Sequence, residues 1–252
     1  MKHSADLEEM ATAAISAAAR LLSFDGSHPS IKSDGSLLTM YDTLVETEVV
    51  TTLSRLDPTS EIISEELASS DVYDAPAGFR GWVLDPIDGT TNFAAGFPVF
   101  AISLAFVDNG VSTFGIVWDS LTRRSYSSST VVTNTYADCA AESYAACDFE
   151  GDERAHRWGI DAFSFLAKST RSTRVIGSVA LGMLWTALGR FDVYCAPAPK
   201  VWDYAAGDAL VRAAGGIVMR RQLGTGRPSL ICGSPTLVAA LAETLEHPNE
   251  RI

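Results

Sequence analysis

Apolar residues recur every three to four positions in two stretches near the N-terminus: Leu7, Met10, Ala14, Ile15, Ala18 and Leu21, then Tyr41, Leu44, Val45, Val49, Leu53 and Leu56. That period is one face of an α-helix, so two amphipathic helices should cover one face of a sheet. Between them Ile31-Lys32-Ser33-Asp34-Gly35-Ser36 is polar and turn-rich, a surface loop or short hairpin. From Glu61 to Tyr126 the pattern shortens to β-type runs: Glu61–Ser64, Gly81–Leu84, Val99–Val107 and Val111–Trp118. The last two meet across Asp108-Asn109-Gly110, a strong hairpin signal, and the middle of the chain should be a substantial antiparallel sheet. Residues 127–156 are less readable. Beyond them strands and helices alternate: a strand at Arg174–Ile176, a helix from Val179 to Leu188, a strand at Phe191–Cys195, and a helix from Asp203 to Ala214 closed by Gly215-Gly216. Ser234-Pro235 then opens a final helix, with Ser at the cap and Pro in the first turn.

Composition narrows the class. With 252 residues, 47% of them hydrophobic, the chain can bury one large core or two modest ones. No repeat or linker interrupts it, so a single domain is expected, with an N-terminal lobe over about 1–130 and a C-terminal lobe over about 131–252. The net charge of −12 and the absence of Lys or Arg runs argue against nucleic acid or an anionic membrane as partner. An anionic substrate would need local help, which a bound metal can give. Cys139, Cys147, Cys195 and Cys232 form no C-x-x-C pair and the histidines are scattered, so neither a structural zinc nor a disulfide framework is indicated. The acidic first residues do not read as a signal peptide and no stretch approaches a membrane span, which points to a cytoplasmic protein with reduced thiols.

The chemistry concentrates where an apolar run stops at two carboxylates, Trp82-Val83-Leu84-Asp85-Pro86-Ile87-Asp88-Gly89-Thr90-Thr91-Asn92. Carboxylates at the end of a buried strand suit a hard cation such as Mg²⁺, and Gly-Thr-Thr offers backbone N–H groups and hydroxyls to an anion. Glu65 follows the Glu61 strand, and Asp203 begins a helix whose small residues permit close packing. Each also has a plainer reading: Asp85 and Asp88 as turn and cap residues, Asp203 as a helix cap, Glu65 as a solvated strand end. Thr39 and Asp42, three apart before the second helix, read equally as a capping pair or as catalytic support. Cys195 and Cys232, in apolar surroundings, read as packing residues.

Asp85-Pro86-Ile87-Asp88-Gly89-Thr90-Thr91-Asn92 and Trp202-Asp203-Tyr204-Ala205-Ala206-Gly207 resemble the two signatures of the inositol monophosphatase family of Mg²⁺-dependent, Li⁺-sensitive phosphatases. The Lys32–Asp42 segment, the Glu65 strand end and Gly177-Ser178 before a helix fall in the matching order. The resemblance implies a layered αβαβ sandwich, an α/β fold of the type shared with sugar bisphosphatases, usually a homodimer. It implies two or three Mg²⁺ ions held by Glu65, Asp85, Asp88, the Ile87 carbonyl and Asp203, with Gly89 and Thr90 on the phosphate and Gly177, Ser178 and Val179 near the leaving alcohol. Thr90 backed by Asp42, or else Glu65, would orient the attacking water and take its proton.

The resemblance thins on the alcohol side. Seven residues before Asp203, where members acting on inositol phosphate usually carry a ring-binding glutamate, stands Ala196. Pro197-Ala198-Pro199-Lys200 follows, stiff and bearing a cation that either pairs on the surface or reaches a substrate anion. Val179 replaces a commoner Ala and narrows the pocket. The expected activity is Mg²⁺-dependent hydrolysis of a small phosphomonoester, inositol phosphate or a similar cyclic polyol phosphate narrowly first. Histidinol phosphate, a nucleoside mono- or bisphosphate and a sugar bisphosphate follow, with a non-catalytic regulatory homologue as the different-class reading.

Overall fold

In the computed structural model, which describes residues 3–22, 29–31, 37–68, 72–149, 151–222 and 227–246, both N-terminal periodicities are helices, α1 (Ser4–Ala19) and α2 (Met40–Leu56). Their apolar stripes pack together and onto one face of a sheet. The turn expected between them lies outside the described residues at 32–36, while β1 (Ser30–Ile31) and β2 (Leu37–Leu38) on either side pair antiparallel. β3 (Glu61–Ser64), β4 (Arg80–Asp88), β5 (Ala101–Asp108), β6 (Val111–Asp119) and β7 (Arg124–Ser127) form a sheet in that order. The β5–β6 turn has positive φ at both Asn109 (52°) and Gly110 (80°), the geometry that Asn-Gly favours in hairpins.

The sheet is not wholly antiparallel as expected: β3 and β4 run parallel. The reason is the connection through residues 65–79, long enough to carry the chain back to the same end of the sheet. This reversal puts the C-terminal ends of β3 and β4, and with them Glu65 and Asp85, side by side.

The second half supplies β8 (Tyr144–Cys147), α4 (Glu153–Ser169), β9 (Ser172–Val175), α5 (Val179–Ala187), β10 (Val193–Ala196), α6 (Val201–Ala213), β11 (Ile217–Gln222), β12 (Pro228–Gly233) and α7 (Pro235–Glu246). Its sheet runs β11-β12-β10-β8-β9, with β8 parallel to both neighbours and β12 antiparallel to both of its own. α7 begins at the expected position, but the buried Ser234 hydroxyl makes no hydrogen bond there.

Strand alternation sorts the interior into layers. On the first sheet Trp82, Leu84, Ile102 and Leu104 face α1 and α2, while Val83, Ala101, Ala105 and Val117 face α5 and α6. On the second sheet Ala146, Tyr194 and Leu230 face α5 and α6 from the other side, and Cys147, Cys195 and Ile231 face α4 and α7. The four expected layers are therefore present, and α4 with α7 adds a fifth. Among the described residues no helix is long and apolar enough to cross a membrane.

The small residues of α6 let it lie directly on the first sheet. A Cβ built on Gly115 of β6 would sit 2.4 Å from the Ala206 carbonyl oxygen, so helix and strand touch backbone to backbone. Because α6 carries Asp203, this contact sets the depth of the site. Gly115→Ala is expected to destabilise the fold by about 1–3 kcal/mol, seen as a drop of several degrees in Tm. An unchanged Tm would contradict the close contact.

Candidate active site and metal centre

Asp85 and Asp88 are three positions apart, with Pro86 and Ile87 between them, and in a regular strand would point to opposite faces. In β4 they do not, because the register slips between them: Asp85 pairs with Ser103 and Asp88 with Ala101, so β4 holds one residue more than β5 over this step. Pro86, without an N–H, sits in the bulge and gives up no ladder bond. Both carboxylates emerge on the face covered by α5 and α6, and both are buried.

α6 brings the third acid. The Lys200 N–H donates to Asp203 Oδ2 at 2.7 Å, the reciprocal half of a helix cap, which fixes the carboxylate at the mouth of the helix. One oxygen each of Asp85, Asp88 and Asp203 lie within 4.8 Å of one another. Glu65 lines the same cavity and bears electrostatically on Asp85 and Asp203, though it stands outside that closest group. The plainer reading of Asp88 as a cap holds as well. The Val179 N–H donates to Oδ1 at 3.2 Å, and the Ala180 N–H (2.9 Å) and Ser178 hydroxyl donate to Oδ2. The Gly177-Ser178-Val179 segment thus grips a carboxylate of the cluster as well as lining the cavity.

After Asp88 the chain turns through Gly89, whose φ of 96° is in the left-handed region, into the short α3 (Thr90–Ala94). A Cβ there would lie 2.9 Å from the Gly177 carbonyl oxygen, so both conformation and space demand glycine. The Asn92 amide ties the turn down by donating to the carbonyls of Val99 (2.8 Å) and Ile176 (2.9 Å). The Thr90 hydroxyl is placed to donate to the Ile87 carbonyl at 2.9 Å or to Asp42 Oδ1 at 3.3 Å. Asp42 is fully buried behind Thr90, and its other oxygen accepts the Thr39 N–H at 2.7 Å. The two readings of Thr39 and Asp42 coexist: one oxygen caps α2 and the other faces Thr90.

These residues line a cavity of about 590 Å³ that includes Glu65, Asp85, Ile87, Asp88, Gly89, Thr90, Gly177, Ser178, Val179, Lys200 and Asp203. Asp42 reaches it only through Thr90. Ala196, Pro197, Ala198 and Pro199 form a wall without polar side chains, in which Ala198 holds a φ of 48° between its two prolines. Sequence reasoning missed Asp148, Asp152 and Arg227, which also line it. Asp148 is buried and takes the N–H groups of Ile176 (2.9 Å) and Gly177 (2.7 Å) and the Tyr194 hydroxyl (2.7 Å). Its signal was an acid directly after the apolar Tyr-Ala-Ala-Cys run, the same grammar as Asp85 after Trp-Val-Leu.

The cluster is electrostatically poised for a cation. Burial, then the charges of Glu65, Asp88, Asp203 and Asp42, push the Asp85 carboxyl well above the usual carboxylate range. Burial, then the charges of Asp88 and Glu65, raise Asp203, against the pull of the Lys200 N–H and ammonium. Asp85 Oδ1 is buried with no hydrogen-bond donor among the described residues. A buried, unpartnered carboxylate oxygen among other acids is the donor set of a hard cation, and the cluster can hold a metal ion.

Without metal, a raised carboxyl means that the folded chain keeps protons the unfolded chain releases. Stability then falls as pH rises from the ordinary aspartate range through the raised value. In chelator at pH 7.5, Asp85→Asn is therefore expected to melt above wild type, with the gap narrowing toward pH 5. Millimolar Mg²⁺ should raise the Tm of wild type more than that of the variant. Equal melting of the two proteins in chelator at both pH values would contradict this electrostatic account.

A sequence model described as the inositol monophosphatase family matches residues 4–249. An inositol-1-monophosphatase of Mycobacterium bovis is 30% identical over 241 residues, covering 89% of this chain and 83% of its own. The Nus factor SuhB of Escherichia coli K12 is 29% identical over 237 residues, covering 86% and 85%. The solved structure of Mycobacterium tuberculosis SuhB superposes with a TM-score of 0.78 at 26% identity, covering 99% of both chains. With the signature residues gathered in one cavity of the expected layered fold, the chain belongs to the inositol monophosphatase family.

Proposed function

We propose that the chain hydrolyses a small phosphomonoester of cyclic polyol or sugar type in a Mg²⁺-dependent reaction, with inositol monophosphate the first substrate to try. The observation that carries this reading is the convergence of Asp85, Asp88 and Asp203 beside the Gly89–Thr91 turn, with a buried Asp85 oxygen that has no donor among the described residues. Phosphate monoesters are among the slowest esters to hydrolyse, so charge neutralisation and a strong nucleophile are both needed. Two or three Mg²⁺ ions held by Glu65, Asp85, Asp88, Asp203 and the Ile87 carbonyl would supply Lewis acidity toward phosphate, water and leaving oxygen.

The chain's own groups do the rest. N–H groups of Gly89 and Thr90, at a helix start where intrahelical acceptors are lacking, hold the phosphoryl oxygens. The Thr90 hydroxyl has one proton and two lone pairs. With that proton directed at Asp42, it accepts a hydrogen bond from the attacking water and relays the water's proton to Asp42 Oδ1. Glu65 is the competing base. Asp148 acts at one remove, holding the Gly177 loop and through it Ser178 against Asp88. We read both lobes as one domain, since α5 and α6 fill the space between the two sheets. By family likeness we also infer a cytoplasmic homodimer.

Phosphate release from a panel of inositol, histidinol, nucleotide and sugar phosphates, with and without Mg²⁺, tests the reading. Turnover is expected in Mg²⁺ only, falling roughly a hundredfold or more in Asp88→Asn. Full activity in that variant would remove the proposed mechanism. No turnover of any substrate, together with no metal binding, would favour a non-catalytic homologue. On family likeness, tens of millimolar Li⁺ should inhibit, and unchanged turnover would count against the assignment of the second metal position.

A further inference from the structure

The lining of the cavity combines the carboxylates of the cluster with two cations, Lys200 and Arg227. Residues 196–199, in the same lining, offer no side-chain donor or acceptor to a ring hydroxyl. Arg227 stands just before Pro228 at the start of β12, and its Nη1 donates to Asp152 Oδ2 at 2.5 Å. Its guanidinium lies 6.0 Å from the centroid of the Tyr73 ring. Both supports are themselves fixed. Asp152 Oδ1 accepts the Ala155 N–H at 2.9 Å and caps α4, and the Tyr73 carbonyl accepts Arg220 Nη2 at 2.7 Å and the Tyr204 hydroxyl at 3.1 Å.

A guanidinium presents five N–H donors in a planar fork. Asp152 is the one hydrogen-bond acceptor it meets among the described residues. The pair therefore holds Arg227 in the cavity lining with donors that meet no other acceptor among the described residues, and the same lining includes Lys200, whose ammonium lies 5.5 Å over the Trp202 ring.

Resting on the phosphatase reading above, we propose that Arg227, with Lys200 in the same lining, is a second anion subsite. The preferred substrate then carries, on its alcohol portion, a second phosphate or a carboxylate. The phosphoryl group to be cleaved goes to the acidic cluster, the second anion to the Arg227 fork, and the apolar wall of Ala196 to Pro199 packs the carbon skeleton. Asp152 competes with the substrate for Arg227 and so tunes the subsite.

Binding is read by calorimetry with Ca²⁺ in place of Mg²⁺, phosphate release being checked in parallel, so that the result does not depend on turnover. The probes are fructose 1,6-bisphosphate against fructose 1-phosphate, and 3-phosphoglycerate against glycerol 3-phosphate. Wild type is expected to bind one doubly anionic probe at least about tenfold more tightly than its partner, and which one does so separates phosphate from carboxylate. Arg227→Gln should cut that ratio to near one, with Arg227→Lys restoring part of it. Asp152→Asn, which keeps the helix cap, should increase it. A general loss of folding would not move the ratio in opposite directions. Equal binding of both members of each pair in wild type, or a ratio unmoved by Arg227→Gln, would overturn the subsite. Loss of turnover with the ratio intact would instead count against the phosphatase reading alone.

Discussion

Asp85, Asp88 and Asp203 hold oxygens within 4.8 Å of one another inside a folded protein. Like charges at about 4 Å repel by roughly 4 kcal/mol even at an effective dielectric constant of about 20, so such a cluster persists only where the scaffold over-determines it. Each acid is secured by a different device. The bulge at Pro86 turns Asp85 and Asp88 to one face, the N-terminus of α5 grips Asp88, and the first turn of α6 grips Asp203. The backbone contact of Gly115 with Ala206 sets how deep α6 can sit. Capping and metal binding, rival readings of the same residues, are here one arrangement: hydrogen bonds aim the carboxylates, and the remaining lone pairs face the cavity.

How much of this was legible depended on the kind of signal. The amphipathic helices, the Asn109-Gly110 hairpin and the strand ending at Asp85 were readable because their burial is one-sided and their turns use specialised residues. α4 went unread although its two faces differ sharply, with Trp158, Phe163 and Phe165 packed beside the buried stripe of Ala155, Gly159, Ala162 and Leu166. The small residues of that stripe serve close approach, as where a Cβ on Gly159 would meet Phe149. β11 and β12 escaped notice, since the Ile217–Gln222 run ends in Arg220, Arg221 and Gln222. The parallel pairing of β3 with β4 is a property of the long connection between them, which no local pattern encodes.

The site divides along the same line. Acids at strand and helix ends were readable from the chain, because the apolar run before each of them stops abruptly. Asp148 also ends an apolar run, but a short one in a stretch without clear periodicity, while Asp152 and Arg227 join the cavity through tertiary packing. The acidic part of the cavity is built largely from contiguous motifs, whereas the rest of its lining is assembled from separate segments. That difference explains why the motifs speak to chemistry and say little of substrate choice.

The central claim is that this acidic cluster exists to hold metal. Crystals grown with Mn²⁺ in place of Mg²⁺ test it by anomalous scattering, which locates the ion without reference to turnover or substrate. The account predicts an anomalous peak bridging the carboxylates of Asp85, Asp88 and Asp203, lost in Asp85→Asn. A cluster that stays metal-free at millimolar Mn²⁺, with all three side chains in place, would contradict it.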